Sequence, residues 1–117
     1  MKEVIYYCRD YLKRPLITVC LLKDEDGNVA RGVSICSPRD NPSKAEGRML
    51  AVGRAHKAMG LRCNKSPMAR QEVIHIALNV VNWLKDFSPS KEGNLGYKIN
   101  YNPTLSEFEE KLLAEKP

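Results

Sequence analysis

The sequence predicts an α+β fold, with a small antiparallel sheet (a hairpin plus a later strand) packed with two long helices and a C-terminal helix. Strand-forming runs on both sides of Asp26 and Gly27 predict the β-hairpin. Two long segments with helical spacing of apolar residues follow it. A chain of 117 residues has room for one domain with a modest core. We therefore expect residues 1–117 to form a single domain.

Residues 3–12 fit either a helix or a strand. Their apolar side chains follow helical spacing, whereas the run VIYYC consists of residues that favour strands. Of the two, we favour the helix.

The two hairpin strands are expected at residues 16–23 and 29–36. The first, LITVCLLK, is apolar on both faces, which predicts that it is covered on both sides or lies at a subunit contact. One face of the second strand carries Val29, Val33 and Ile35. The other face carries only small residues, namely Ala30, Gly32, Ser34 and Cys36. A strand face without bulk lets another layer or a ligand approach closely.

The first long helix is predicted to begin near Ser43, which matches a capping box with Glu46, or at Asn41-Pro42. Gly60 is its expected end. Helical spacing assigns one face to the core, with Ala45, Met49, Val52, His56 and Met59. A separate stripe of small residues suits tight packing against a second helix, and it consists of Gly47, Ala51, Ala55 and Ala58.

The second long helix is predicted to begin at Ser66-Pro67 and to run to about Leu84. It is apolar around most of its circumference, which in a protein of this size favours burial through oligomerisation. A narrow polar strip remains, made of Gln71, Glu72, His75, Asn79 and Asn82. It is either the wet side of the helix or a surface whose amides contact an adenine edge or ribose hydroxyls.

The last third of the chain alternates loop and regular structure. Residues 85–96, rich in Ser, Pro and Gly, predict a loop, and residues 97–101 predict a strand. A C-terminal helix follows, for which Thr104 and Glu107 match a capping box. Its expected apolar face consists of Leu105, Phe108, Leu112 and Leu113.

The composition is that of a mildly basic protein. Lys and Arg outnumber Asp and Glu by 19 to 14, giving a net charge of +5, which permits nucleotide or nucleic acid partners without requiring them. The four cysteines show no metal-binding spacing, so we expect reduced, structural cysteines and no metal. Without an apolar run long enough to cross a bilayer or a signal-peptide core, the sequence predicts a cytoplasmic protein.

The turn from Ser37 to Asp40 is the main candidate binding site. It leads into a helix N-terminus, whose unpaired amides and dipole attract anions. Gly47 and Gly53 suggest close approach to the helix backbone, because glycine inside a helix costs about 1 kcal/mol relative to alanine. Five basic residues lie nearby in sequence, namely Arg31, Arg39, Lys44, Arg48 and Arg54. These features predict a phosphate or pyrophosphate site that includes Ser37 and Gly47. The alternative is a capped helix with solvated basic side chains.

Catalytic residues are not apparent. The sequence has two histidines, no Ser-His-Asp or Cys-His arrangement of recognised spacing, and no paired carboxylates on one helix face. We therefore expect a binding protein and not an enzyme, with no cofactor. Asn79 and Asn82 are additional candidates for ligand contact.

The segment from RGVSICSPRD through KAEGRMLAVGRAHKA resembles small phage proteins of the Thoeris anti-defence family, in its first-described form (Tad one). The later segment GYKINYNPTLSEFEEKLL is similar to the closing segment of such proteins, so the resemblance spans roughly residues 15–113. These proteins are sponges that bind and hold a bacterial immune signal, glycocyclic ADP-ribose, without degrading it. Some members also bind cyclic oligonucleotides at separate sites.

The resemblance implies an α+β homodimer or hexamer in the cytoplasm of an infected cell, with a cyclic nucleotide signalling molecule as its partner. It does not assign binding residues one by one, so Arg31, Arg48 and Arg54 are chosen from local chemistry. The main alternative is a small basic protein that binds RNA or DNA, because a hairpin followed by a helix opening in Lys and Arg is superficially like a double-stranded RNA-binding domain. A third hypothesis is a hydrolase acting on ADP-ribose-like molecules.

Overall fold

The predicted hairpin forms the middle of an antiparallel sheet in the computed structural model, which describes residues 1–36, 43–79 and 97–115. The hairpin strands are β2 (Pro15–Lys23) and β3 (Val29–Ile35). Gly27 takes a positive φ of 89° in the turn, a conformation that glycine adopts without steric cost. Asp24 closes the turn by accepting a hydrogen bond of 2.8 Å from the amide of Asn28.

Three further strands complete the sheet within the described ranges. They are β1 (Lys2–Arg9), β4 (Lys65–Pro67) and β5 (Tyr97–Tyr101), and the strand order is β1-β2-β3-β5-β4 with every neighbouring pair antiparallel. The strand predicted at 97–101 is therefore confirmed. Together with the helices below, the sheet confirms the predicted α+β class.

The helix favoured for residues 3–12 is wrong, because residues 2–9 form β1 and pair along their length with β2. A tight turn follows β1, and the buried carboxylate of Asp10 organises it. That carboxylate accepts hydrogen bonds of 2.9 Å from the amides of Leu12 and Arg14 and from Nε of Arg14. Burial by itself raises the pKa of Asp10, but these hydrogen bonds outweigh it and hold the pKa below its usual value. Pairing with β2 therefore decided between the helical and the strand preference of this segment.

Helix α1 (Lys44–Leu61) covers one face of the sheet. Ser43 is its N-cap, as predicted, and the Ser43 hydroxyl accepts a hydrogen bond of 3.3 Å from the amide of Glu46. The predicted end at Gly60 is wrong. The helix continues to Leu61, and Arg62 takes the left-handed conformation that ends it, with its amide bonded to a carbonyl in the last turn.

The small-residue stripe of α1 faces the sheet and not a second helix. Ala51, Ala55 and Ala58 are fully buried. A Cβ on Gly32 of β3 would lie 2.1 Å from the carbonyl oxygen of Ala51, so the helix backbone rests directly on the strand. The small face predicted for β3 therefore receives another layer of the protein.

The core face predicted for α1 is wrong for most of its members. Met49 is 67% exposed, and Ala45 and His56 are also exposed, while Val52 and Met59 are partly buried. The physical reason is the complementarity of small side chains on the helix and on β3. That close fit places the stripe against the sheet and turns the bulkier residues outwards.

The opposite face of the sheet carries a larger apolar cluster with α3 (Glu107–Ala114) and α2 (Arg70–Asn79). Its buried members are bulkier than those beneath α1, and they include Tyr6, Val19, Leu21, Val33, Met68, Ile76 and Leu113. The capping box of α3 is formed by Ser106 and Glu109, so the prediction of Thr104 and Glu107 is wrong. Phe108, predicted to face the core, is more than half exposed and makes an edge-to-face contact with the Tyr6 ring at 5.2 Å.

Helix α2 begins at Arg70, because Ser66 and Pro67 belong to β4. Ser66 has a positive φ of 55°, which is incompatible with a helix start at that point. Two apolar residues of α2 face outwards, since Ile74 is 48% and Leu78 is 78% exposed. Burial of this helix through oligomerisation stays a prediction. The rest of the predicted helix, up to Leu84, and the loop predicted at 85–96 lie outside the described residues.

Cys20 is a free cysteine buried beneath α1. Burial raises the pKa of the Cys20 thiol to about 12, so this side chain is a structural apolar group. Over residues 1–36, 43–79 and 97–115 there is no cluster of three potential metal ligands. None of the helices described is long and apolar enough to span a membrane.

Candidate functional site

The residues predicted to bind a ligand are distributed over three places. Lys44, Gly47 and Arg48 lie on the first two turns of α1, Arg31 lies on the opposite face of the sheet, and Arg54 lies at the edge of β3. The remaining predicted residues, namely Ser37, Arg39, Asn82 and the side chain of Asn79, lie outside the described part of the chain.

Arg31 is a structural residue in this fold. Its side chain forms two hydrogen bonds to the carboxylate of Glu109, one of them 2.9 Å from Nε, and a third of 3.1 Å to the carbonyl of Thr104. Arg31 is 2% exposed and Glu109 is fully buried. The Tyr6 hydroxyl donates to the same carboxylate at 3.0 Å, and burial, followed by the nearby negative charge, raises the pKa of Tyr6. Arg31 is thus enclosed and does not reach a surface ligand.

The alternation of side chains along β3 explains why the prediction that Arg31 belongs to the phosphate site is wrong. Successive side chains of a strand point to opposite faces, so Arg31 shares a face with Val29 and Val33, which pack in the cluster beneath α3. Gly32 and Ser34 face α1. Because Arg31 points to the same face as Val29 and Val33, it lies on the opposite side of the sheet from Lys44 and Arg48.

Arg54 supports the part of β3 that β5 leaves unpaired. Pairing between β3 and β5 covers Ala30 to Gly32, and the Arg54 guanidinium donates a hydrogen bond of 2.7 Å to the carbonyl of Val33 just beyond it. Burial lowers the pKa of Arg54, and the nearby charge of Glu72 opposes that shift. The hydrogen bond assigns Arg54 a structural contact.

The first turns of α1 lie over one row of the sheet. In the antiparallel register Tyr7 pairs with Thr18, and Thr18 pairs with Ser34, so the three side chains cross β1, β2 and β3 side by side. Lys44 lies above Tyr7 at one end of this row. Gly47 lies above Thr18 and Ser34 at the other end.

We call the open depression at the β1 end the basic groove, and define it by the residues Glu3, Ile5, Tyr7, Lys44 and Arg48. The Lys44 ammonium lies 4.8 Å from the centre of the Tyr7 ring. The side chains of Lys44 and Arg48 form no ion pair with the acidic residues that the structure describes. The groove therefore combines two cations, an aromatic ring and a helix N-terminus, all of which interact favourably with phosphates or bases. Glu3 adds one carboxylate to the lining, so the cations exceed it by one.

Sequence reasoning missed Tyr7 and Arg9, whose guanidinium lies 5.9 Å from the Tyr7 ring. Both belong to β1, which was predicted to be helical. The signal that would have found them is the run of strand-forming residues in VIYYC, because a strand here places Tyr7 on the edge next to β2.

The two helical glycines have different explanations. A Cβ on Gly47 would lie 2.6 Å from Oγ1 of Thr18, so its closest neighbour is the sheet. A Cβ on Gly53 would have no atom within 4 Å. Packing thus accounts for Gly47, whereas nothing in the described residues accounts for Gly53.

No family model matches this sequence, and neither the search of curated proteins nor the search of solved structures finds a match.

Proposed function

We propose that this protein is a phage anti-defence sponge that binds and sequesters a cyclic ADP-ribose-type immune signal, glycocyclic ADP-ribose, without degrading it. The basic groove is the observation that carries the proposal. It offers cations without acidic partners beside an aromatic ring, at the start of an 18-residue helix. The resemblance of this segment to the Thoeris anti-defence family supplies the identity of the ligand.

In this proposal Lys44 and Arg48 bind the pyrophosphate. Lys44 belongs to the first turn of α1 and Arg48 to the second, so both act where the helix dipole also favours negative charge. Each such interaction contributes about 0.3–1 kcal/mol at an exposed site and more when the ligand excludes water. Tyr7 provides a flat apolar surface against which a base packs.

We further propose that the working form is a homodimer or hexamer in the host cytoplasm. The exposed Ile74 and Leu78 of α2 support a subunit contact, because two large apolar residues one turn apart form a stripe that association would bury. Sequestration requires a long residence time, and enclosure between subunits slows dissociation. Cyclic oligonucleotides are a second ligand class to be tested, at a site separate from this groove.

The experiment is a calorimetric titration with glycocyclic ADP-ribose, followed by heating of the complex and chromatography of the released nucleotide. We expect nanomolar binding and chemically intact ligand. Arg48→Ala and Lys44→Ala should each weaken binding at least tenfold, while Lys57→Ala, which removes an exposed charge from the same helix away from the groove, should leave it unchanged.

The same titration separates the alternatives. Release of an altered nucleotide would indicate a hydrolase. If glycocyclic ADP-ribose does not bind, while RNA or DNA binds with an affinity that falls steeply with salt, the protein is a nucleic acid binder and the sponge proposal is wrong.

A further inference from the structure

A second cavity lies on the other side of Gly47 from the basic groove. It has a volume of about 180 Å³ and is walled by the first turn of α1 and by β2 and β3. An apolar cavity of about 150 Å³ is large enough to hold benzene, so this one has room for a single ring. The residues that matter for its chemistry are Leu16, Thr18, Ser34, Ile35, Glu46 and Leu50.

Two side-chain hydroxyls from largely buried residues face this cavity. Thr18 is 1% and Ser34 is 5% exposed, and neither hydroxyl has a hydrogen-bond partner among the residues that the structure describes. Both are directed towards the first turn of α1, since a Cβ on Gly47 would lie 2.6 Å from Thr18 Oγ1 and 3.9 Å from Ser34 Oγ. Both residues line the cavity, so a group bound there can reach the two hydroxyls. A bound polar group would therefore gain two hydrogen bonds here.

The charge of the lining argues against a phosphate in this cavity. Glu46 contributes a carboxylate to the wall, which repels an anion but accepts hydrogen bonds from sugar hydroxyls, as acidic residues do from ribose in dinucleotide-binding folds. Leu16, Ile35 and Leu50 supply apolar surface for the carbon side of a sugar ring. The lining thus suits a neutral ring that carries vicinal hydroxyls.

We propose that this cavity binds a ribose of the nucleotide whose phosphates occupy the basic groove, with Glu46, Thr18 and Ser34 contacting its vicinal diol. The two sites flank the first turns of α1, since Gly47 lines the cavity and Arg48, the next residue, lines the groove. The choice of a nucleotide rests on the proposed function, whereas the hydroxyl-binding chemistry rests on the cavity itself.

The proposal is tested by NMR, by following the backbone amide chemical shifts of the 117-residue protein as small sugar phosphates are added. Ribose 5-phosphate should shift the amide signals of Thr18, Ser34 and Gly47, and 2-deoxyribose 5-phosphate should bind about tenfold more weakly because it lacks one hydroxyl. Inorganic phosphate should leave the signals of Thr18 and Ser34 in place, whereas the Gly47 signal also reports on the basic groove. Equal effects of the two sugars, shifts of Thr18 and Ser34 with inorganic phosphate alone, or no shift with any fragment would overturn the proposal.

Variants separate this proposal from the proposed function. Glu46→Gln keeps the capping-box residue type but removes the charge, and Thr18→Val removes the hydroxyl. Both should weaken binding of glycocyclic ADP-ribose about tenfold, while Glu110→Gln on the exposed side of α3 should not. If the unchanged protein and both variants bind equally while Arg48→Ala loses binding, the ribose assignment fails and the sponge function stands. If the unchanged protein does not bind this nucleotide, the sponge function fails and the fragment titration alone decides the cavity.

Discussion

The two faces of the sheet are built on different principles. Beneath α1 the contact is between small residues, and helix backbone meets strand backbone at Gly32 and Ala51. Beneath α2 and α3 the contact is between bulky apolar side chains and encloses the ion pair of Arg31 and Glu109. Where the helix backbone lies directly on the strand, long side chains of the helix extend past the contact into solvent. Where a thick layer of apolar side chains covers the sheet, a long side chain such as that of Arg31 is enclosed within it.

The burial of two arginines illustrates the difference between the two faces of the sheet. Arg31 and Arg48 are both close in sequence to the predicted phosphate site. Arg31 is enclosed by the bulky face and held by Glu109, while Arg48 lies exposed at the rim of the close-packed face. Of these two arginines, only Arg48 has its charge at the surface, on the α1 side of the sheet.

The largest expected effect comes from breaking the ion pair on the bulky face. Arg31→Met leaves the buried carboxylate of Glu109 without its cation, and we expect the free energy of unfolding, measured by urea denaturation, to fall by about 3–5 kcal/mol. The double variant Arg31→Met/Glu109→Leu should recover part of that loss, because no buried charge remains. The recovery is incomplete because the Tyr6 hydroxyl and the capping box of α3 lose the Glu109 carboxylate. A double variant as unstable as the single one would show that the pair is not what holds this face together.

The next effect tests the close contact on the α1 face. Gly32→Ala places a Cβ 2.1 Å from the carbonyl oxygen of Ala51, and we expect a loss of about 1–3 kcal/mol or more from overpacking. Gly53→Ala is the matched control, because its Cβ meets nothing within 4 Å. That substitution should stabilise the protein by up to about 1 kcal/mol, since alanine favours a helix more than glycine. Equal losses in the two variants would contradict the packing described for α1.

The smallest effect on stability is expected at the rim. Arg48→Ala removes an exposed side chain that has no ion pair among the described residues, so the free energy of unfolding should change by no more than about 0.5 kcal/mol. The same variant is expected to lose ligand binding. A thermal or urea melt run beside the calorimetry checks both statements, and a large loss of stability would assign Arg48 a structural role like that of Arg31.

Local chemistry was sufficient to predict several elements. The Asp26-Gly27 turn between apolar runs predicted the hairpin, and Ser43 with Glu46 predicted the start of α1. The residues of the basic groove on α1 were also among those predicted, because Lys and Arg at a helix N-terminus are a local feature. Tyr7 was missed because the choice of strand or helix for residues 3–12 depends on whether β2 offers a partner.

By itself, the sequence determined the α+β class, the hairpin, the N-terminus of α1 and the presence of a small-residue stripe, because turn geometry, capping and periodicity act over a few neighbouring residues. Only the tertiary structure decided that the stripe meets a sheet, that Arg31 pairs with Glu109 and that Lys44 lies over Tyr7. These outcomes depend on which strand face meets which layer, and that is settled by contacts between residues far apart in the chain.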